Sequence, residues 1–173
     1  QRRTTDQTDR SVRDRWLGEA EQHIREGLRV RRAQLGEKNR DVAESLFHLG
    51  KTYTACGDYE SAEQAFRQCL SIMRELFGDE QRDVATVKLQ IANIAARQGK
   101  YADAEAIFDD VLANYRKLLG NEHPDLANCL SAYAETLDWQ GKYIEADAML
   151  REALEIQRKA LGEDHPDFAK TLI

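Results

Sequence analysis

Apolar residues recur along this chain at intervals of three and four positions, which is the spacing of one face of an α-helix. One such stripe contains Val42, Leu46, Leu49 and Tyr53. A second stripe follows Gly57 and contains Tyr59, Ala62, Phe66, Leu70, Met73 and Leu76. Glycine adopts the left-handed backbone conformation at low cost and commonly ends helices, so the pattern predicts two helices with a turn at Gly57.

The pair of helices recurs with a period of 42 residues. Two series of glycines mark the period, namely Gly57, Gly99 and Gly141, and Gly36, Gly78, Gly120 and Gly162. In this register the complete units are 41–82, 83–124 and 125–166, preceded by a half repeat at 15–40 and followed by the start of another at 167–173. A single helical hairpin cannot bury both of its apolar faces, whereas stacked hairpins can. We therefore expect an all-α solenoid, with residues 1–14 as a polar linker or disordered end because they match no part of the repeat.

Further repeated positions support this architecture. An aspartate opens the first helix of each hairpin, where a carboxylate is favoured by the helix dipole, at Asp41, Asp83, Asp125 and Asp167. Prolines at 124 and 166 directly precede two of these aspartates, a position at which a helix tolerates proline. Small residues recur on both helices, at Gly50, Ala92 and Ala134 and at Ala62, Ala104 and Ala146. They predict a close approach between the two helices of each hairpin.

The repeated motif resembles the tetratricopeptide repeat. It is Leu46-x2-Leu49-Gly50-x2-Tyr53 followed by Ala62-x3-Phe66. The 42-residue form is similar to the kinesin light chain type, through Gln140-Gly141-Lys142-Tyr143 and Leu161-Gly162-Glu163-Asp164-His165-Pro166-Asp167. The resemblance covers residues 15–173 and implies an α-solenoid of helix-turn-helix repeats that forms a right-handed superhelix.

The same resemblance implies that the first helices of the hairpins line a peptide-binding groove. By the family's pattern the groove positions here are Phe47, Lys51, Thr54, Leu89, Asn93, Ser131, Glu135, Asp138 and Trp139. The amide of Asn93 can both donate to and accept from a peptide backbone. Lys51, with Glu135 and Asp138, indicates a ligand of mixed charge.

Trp139 occupies a position that is Ala55 in the first complete unit and Arg97 in the second. A core position would not accept arginine readily, so we expect Trp139 to be partly exposed, as aromatic residues at binding hot spots often are. The alternative is a tryptophan that packs on the turn at Gly141.

The charge of the chain narrows the classes of partner. The net charge is −6 and the pI is about 5.3, which argues against nucleic-acid binding because that function favours a basic face. No apolar run approaches the roughly 18 residues of a membrane span, and no signal peptide is visible. The three cysteines, Cys56, Cys69 and Cys129, fit neither a disulfide framework nor a zinc site. We expect reduced thiols in a cytoplasmic protein, with Cys69 and Cys129 in the core.

No catalytic or cofactor-binding motif is present, so we predict a chain without enzymatic activity, cofactor or metal. His123 and His165 are 42 residues apart but each precedes a proline at a turn, which favours a structural role. The sequence therefore predicts a protein-interaction module or scaffold whose partner is a protein or peptide. The chain does not begin with methionine, and we expect it to belong to a larger protein. The alternative is an architectural spacer or a self-association segment, with exposed end faces around Leu17, Ile24 and Phe168.

Overall fold

A computed structural model describes the backbone of residues 2–161 and the side chains of residues 15–160. Within these limits all regular secondary structure is α-helical, with short turns between the helices. The helices are α1 (Arg2–Leu35), α2 (Arg40–Cys56), α3 (Tyr59–Phe77), α4 (Arg82–Arg97), α5 (Tyr101–Leu119), α6 (Pro124–Trp139) and α7 (Tyr143–Leu161). The predicted start of a further repeat at 167–173, with Gly162, His165, Pro166 and Phe168, lies outside the described residues.

From the end of α1 onward, the helices end and begin where the sequence predicts. Gly57, Gly99 and Gly141 have φ angles of 81°, 75° and 77°, in the left-handed region that a side chain disfavours. At the start of α2, the side chain of Asn39 accepts a hydrogen bond from the backbone N–H of Asp41 at 2.8 Å. The described members of the series, Asp41, Asp83 and Asp125, therefore lie in the first turn, two residues after the capping residue.

Contacts between helices divide the chain into two compact units, residues 1–78 and 79–173, called unit 1 and unit 2. In unit 1, α2 packs against both α1 and α3. Phe66 of α3 is fully buried, and its ring lies so close to Gly50 of α2 that a Cβ at position 50 would be 2.7 Å from it. The predicted close approach of the two helices is therefore confirmed in this hairpin.

In unit 2, α5 packs against α4 and α6, and α6 packs against α7. Ala104 is fully buried, as the sequence predicts. The ring of Phe108 stacks on that of Tyr133, with centroids 4.9 Å apart and planes 11° from parallel. Large side chains thus fill the space between hairpins, whereas small ones allow contact within a hairpin.

An ion pair recurs at the same position of the repeat, with its charges reversed in unit 1. Unit 2 pairs Lys117 with Glu80 at 2.6 Å and Lys159 with Glu122 at 3.1 Å. The equivalent pair in unit 1 is Lys38 with Glu75 at 2.8 Å. Exposed pairs of this kind contribute about 0–1 kcal/mol each. The connection between α1 and α2 in unit 1 thus meets α3 as the connection between α5 and α6 in unit 2 meets α7.

The N-terminal part of α1 is part of one continuous helix. Its backbone is helical from Arg2 to Leu35, on both sides of the boundary that the sequence places between residues 14 and 15. Position 15 is equivalent to the turn glycines 57, 99 and 141, but here it is Arg15. Arginine disfavours the left-handed conformation, so the helix continues where the other repeats turn. The division into a linker and a repeat domain at this boundary stays a prediction.

Cys69 and Cys129 are buried as predicted, whereas Cys56 is exposed, and all three are free thiols. Burial raises the pKa of both the Cys69 and the Cys129 thiol to about 12. Burial likewise raises the pKa of the Tyr115 hydroxyl to about 12. The folded chain therefore holds these protons more tightly than the unfolded chain does.

We expect the protein to lose stability as the pH rises from about 9 towards 12. The raised pKa values stabilise the folded state fully at any pH below about 8.5, which is the pKa of a thiol in the unfolded chain. This stabilisation is lost as the pH rises from that value through the pKa of the thiol in the folded chain. The free energy of unfolding should fall by on the order of 1 kcal/mol per pH unit for each buried thiol. Urea denaturation in reducing buffer at several alkaline pH values measures it, with a Cys69→Ala/Cys129→Ala variant as the comparison. An equally steep decline in that variant would contradict the assignment to the thiols.

Candidate functional site

The predicted groove positions lie at corresponding places on three helices. Unit 1 contributes the positions on α2, which are Phe47, Lys51 and Thr54. Unit 2 contributes Leu89 and Asn93 on α4 and Ser131, Glu135, Asp138 and Trp139 on α6. Because α4 and α6 contact each other, unit 2 places its two sets on neighbouring helices.

In unit 1 only Lys51 is fully available to a ligand. Phe47 is half-buried, and its ring packs edge-on against Phe66 with centroids 5.6 Å apart. The hydroxyl of Thr54 donates to the backbone oxygen of Gly50 at 2.8 Å, so its proton is already used within the helix. The exposed ammonium of Lys51 is thus the main recognition group that α2 offers among these positions.

In unit 2 the main feature is a pair formed by Arg97 and Trp139. The guanidinium carbon of Arg97 lies 5.8 Å from the centroid of the Trp139 ring, a cation–π arrangement. Trp139 is 41% exposed, which confirms the expectation of partial exposure. The two residues occupy the same position of successive repeats. The repeat pattern places both residues at this position, but only the structure shows that they contact each other.

Polar groups surround this pair. Glu135 and Asp138 are exposed and lie three residues apart on α6, so both carboxylates project from one side of the helix next to Trp139. Asn93 and Ser131 are half-buried, and the hydroxyl oxygen of Ser131 is shielded from water without a hydrogen-bond partner. The face of α4 and α6 thus combines an exposed aromatic ring with two carboxylates.

A carboxylate that sequence reasoning missed holds the turn beside Trp139. Glu105 of α5 accepts hydrogen bonds at 2.7 Å from the Gln140 amide and at 2.7 Å from the Lys142 ammonium. The bond from Lys142 is the main cause of a lowered pKa for Glu105. The two donors, Gln140 and Lys142, belong to the motif on which the family resemblance rests. The motif does not contain Glu105, which accepts their hydrogen bonds, so the sequence pattern pointed to the donors only.

The histidine singled out in the sequence has a structural role. The Nδ1 atom of His123 accepts a hydrogen bond from the backbone N–H of Asp125 at 3.1 Å and so caps α6. Among the described residues, no group of three or more His, Cys, Asp and Glu side chains could hold a metal ion. Over the same residues, every helix is too short or too polar to cross a membrane.

Comparison with known proteins identifies the repeats. The tetratricopeptide repeat model matches residues 17–75 and 83–159. Crystalline BtubC (BKLC) from P. vanneervenii is 23% identical, with a TM-score of 0.79 over 94% of this chain and 65% of that one. Two crystal structures of nearly identical TPR-like repeats from Podosopora anserina, described as a kinesin light chain, are each 20% identical over 98% of this chain, with TM-scores of 0.76 and 0.74. They cover 80% and 81% of those chains. No curated protein matches the sequence.

The similarity to these structures supports the predicted fold. The described residues form stacked helical hairpins, as the resemblance to kinesin light chain repeats implies. This chain spans 65% of the length of BtubC.

Proposed function

We propose that this chain, which belongs to the tetratricopeptide repeat family, is a non-catalytic scaffold that binds an extended peptide or a helix of a partner protein. The proposal is supported chiefly by the Trp139–Arg97 pair and the carboxylates beside it. Repeats of this family generally serve as protein-interaction modules, and their surfaces are formed by rigid helices that need little reorganisation on binding.

The chemistry of unit 2 suits a basic ligand segment. Glu135 and Asp138 are exposed and can pair with lysine or arginine side chains. The Trp139 ring, already contacted on one side by Arg97, offers its remaining surface to an apolar or cationic side chain. The amide of Asn93 can bond to the ligand backbone in either direction. Together these groups provide an anchor with polar positions around it.

The chemistry of unit 1 suits an acidic ligand segment. Lys51 is exposed on α2, and Phe47 presents the part of its ring that Phe66 does not cover. The two units are therefore expected to recognise ligand segments of opposite charge, each by itself. Thr54 within unit 1, and Leu89 and Ser131 within unit 2, contribute surface rather than specific bonds.

We expect Trp139→Ala to weaken peptide binding at unit 2 by at least tenfold, because loss of a central tryptophan at an interface costs about 2 kcal/mol or more. The probes are peptides selected from a displayed random 12-residue library on the complete 173-residue chain. Glu135→Lys/Asp138→Lys should cause a similar loss. Fluorescence anisotropy of the labelled peptides measures the affinities.

Trp16→Ala is the matched control, because Trp16 is 62% exposed on α1 of unit 1. It should leave the affinity of these peptides unchanged. Equal binding of the selected basic peptides by the wild type and Trp139→Ala would exclude this face of unit 2 as their site.

A further inference from the structure

Unit 1 contains a groove between α1 and α2 that lies apart from the face of unit 2 and shares Lys51 with the predicted groove positions of unit 1. It has a volume of about 620 Å³. Its lining includes Ile24, Gly27 and Arg31 of α1 and Ser45, His48 and Lys51 of α2. We call this feature the α1–α2 groove.

The equivalent surface in unit 2 is covered by a helix. Two repeats further along the chain, the positions of Ile24, Gly27, Arg31 and Ser45 are Phe108, Val111, Tyr115 and Cys129. All four are at most 1% exposed. The covering helix is α4, which contacts both α5 and α6.

Two contacts show how α4 covers that surface. The hydroxyl of Thr86 on α4 lies 3.1 Å from the hydroxyl of Tyr115 on α5. At the other end Arg97 of α4 stacks on Trp139 of α6. The position equivalent to Tyr115 is Arg31 and that equivalent to Trp139 is Ala55, and both line the α1–α2 groove. The α1–α2 groove therefore corresponds to the surface on which the helix α4 packs in unit 2.

Within the described backbone, the N-terminal segment of the chain does not cover the α1–α2 groove. Since α1 is one helix from Arg2 to Leu35, the segment before Arg15 continues along the axis of α1 and does not fold back beside it. The replacement of a turn glycine by Arg15 accounts for this continuity. Within the described residues the groove is open.

The lining of the groove differs in charge from its counterpart in unit 2. Arg31 stands in place of Tyr115, and Lys51 in place of Glu135, while His23 and His48 lie alongside. Among the residues whose side chains the structure describes, the lining contains no carboxylate, although the chain carries a net charge of −6. Its floor is apolar or small, at Ile24 and Gly27. This surface is complementary to a helix that has apolar residues on one face and acidic residues beside them.

We propose that the α1–α2 groove binds an acidic amphipathic helix of a partner protein, which packs on α1 and α2 as α4 packs on α5 and α6. Gly27 replaces Val111, so the groove has room for a large apolar side chain of the bound helix at that point. Arg31 and Lys51 pair with carboxylates on its flanks. A second copy of this chain that presented the same groove would bring like charges together, which disfavours a twofold dimer through this surface.

The probe is a fluorescein-labelled synthetic helix with leucine along one face and glutamate beside it, and the comparison probe replaces glutamate with lysine. The complete 173-residue chain should bind the glutamate probe saturably and at least tenfold more tightly than the lysine probe. Added salt should weaken this binding because the charged flanks remain near solvent. Fluorescence anisotropy measures both affinities.

Gly27→Leu tests the location. A Cβ at position 27 meets nothing within 4 Å and the backbone there is helical, so the new side chain should occupy the groove without unfolding α1. We expect at least a tenfold loss of glutamate-probe binding. Gly18→Leu is the matched control, because a Cβ at position 18 of the same helix also meets nothing within 4 Å. It should bind as the wild type does.

His48→Glu/Lys51→Glu tests the charge independently of any filling of the groove, since both residues are exposed on α2. This variant should prefer the lysine probe. Trp139→Ala should leave glutamate-probe binding unchanged, which distinguishes the groove from the proposed site in unit 2. The proposal is overturned by unchanged binding in Gly27→Leu or by a wild-type preference for the lysine probe. It is also overturned if sedimentation shows a wild-type dimer that Gly27→Leu abolishes, because a second copy would then occupy the groove.

Discussion

Ala104→Trp should reduce the free energy of unfolding by about 3 kcal/mol or more, the upper range for overpacking a tightly packed position. Ala104 is fully buried in the first turns of α5, where the helix meets α4. An indole at this position would have to separate the two helices, because no cavity is available at a residue with 0% exposure. Urea denaturation followed by circular dichroism measures the loss.

Ala106→Trp is the control for this prediction, since Ala106 lies two residues further along α5 and is exposed. It should cost only the difference in helix propensity, about 0.5 kcal/mol. Equal unfolding midpoints for the two variants would mean that α5 does not present Ala104 to α4, and the repeat register would then be wrong.

Gly50→Val should reduce the free energy of unfolding by about 2 kcal/mol through a clash within the first complete hairpin. A Cβ at position 50 would lie 2.7 Å from the Phe66 ring, closer than real contacts allow. Phe66 is fully buried and also packs against Phe47, so it cannot move away without disturbing a second ring. Chemical denaturation measures the effect.

Gly18→Ala provides the opposite case on α1. A Cβ at position 18 meets nothing within 4 Å, so the substitution introduces no clash. Alanine loses less backbone entropy than glycine in a helix, and we expect a gain of about 0.5–1 kcal/mol. If Gly50→Val were as stable as Gly18→Ala, the close approach of α2 and α3 would be refuted.

Part of the candidate site follows from the sequence alone. The repeat period places Trp139 at a position where another unit has Arg97, which correctly predicts that the indole is partly exposed. The contact between these two residues depends on how closely α4 and α6 approach, and no local pattern encodes that distance. The hydrogen bond from the Thr54 hydroxyl to the backbone oxygen of Gly50 is a second feature that the repeat pattern does not show, and the role of Thr54 in binding stays a prediction.

Lys88 shows why a repeat pattern can be broken without loss of the fold. Its position is Leu46 in the preceding repeat and Leu130 in the following one, and Lys88 itself is only 7% exposed. The ammonium lies 2.8 Å from Asp110 and 3.4 Å from Asp79. A buried charge is tolerated when carboxylates meet it, and here they come from the neighbouring helix and the preceding turn.

The sequence by itself determined the helices from α2 onward, their ends and the small residues at which they meet. These features are local or strictly periodic: a glycine ends a helix through its own φ angle, and a stripe of apolar residues marks a face within one helix. It also determined which cysteines are buried, since Cys69 and Cys129 lie on such stripes.

Only the tertiary structure decided which of the surfaces are covered. The α1–α2 groove and the surface around Phe108 occupy equivalent places in the repeat, yet one is open within the described residues and the other lies under α4. The difference arises because α1 continues through Arg15, whereas the chain turns at Gly99 between α4 and α5. Burial depends on helices distant in sequence, because contacts between side chains form only after the backbone has brought those helices together.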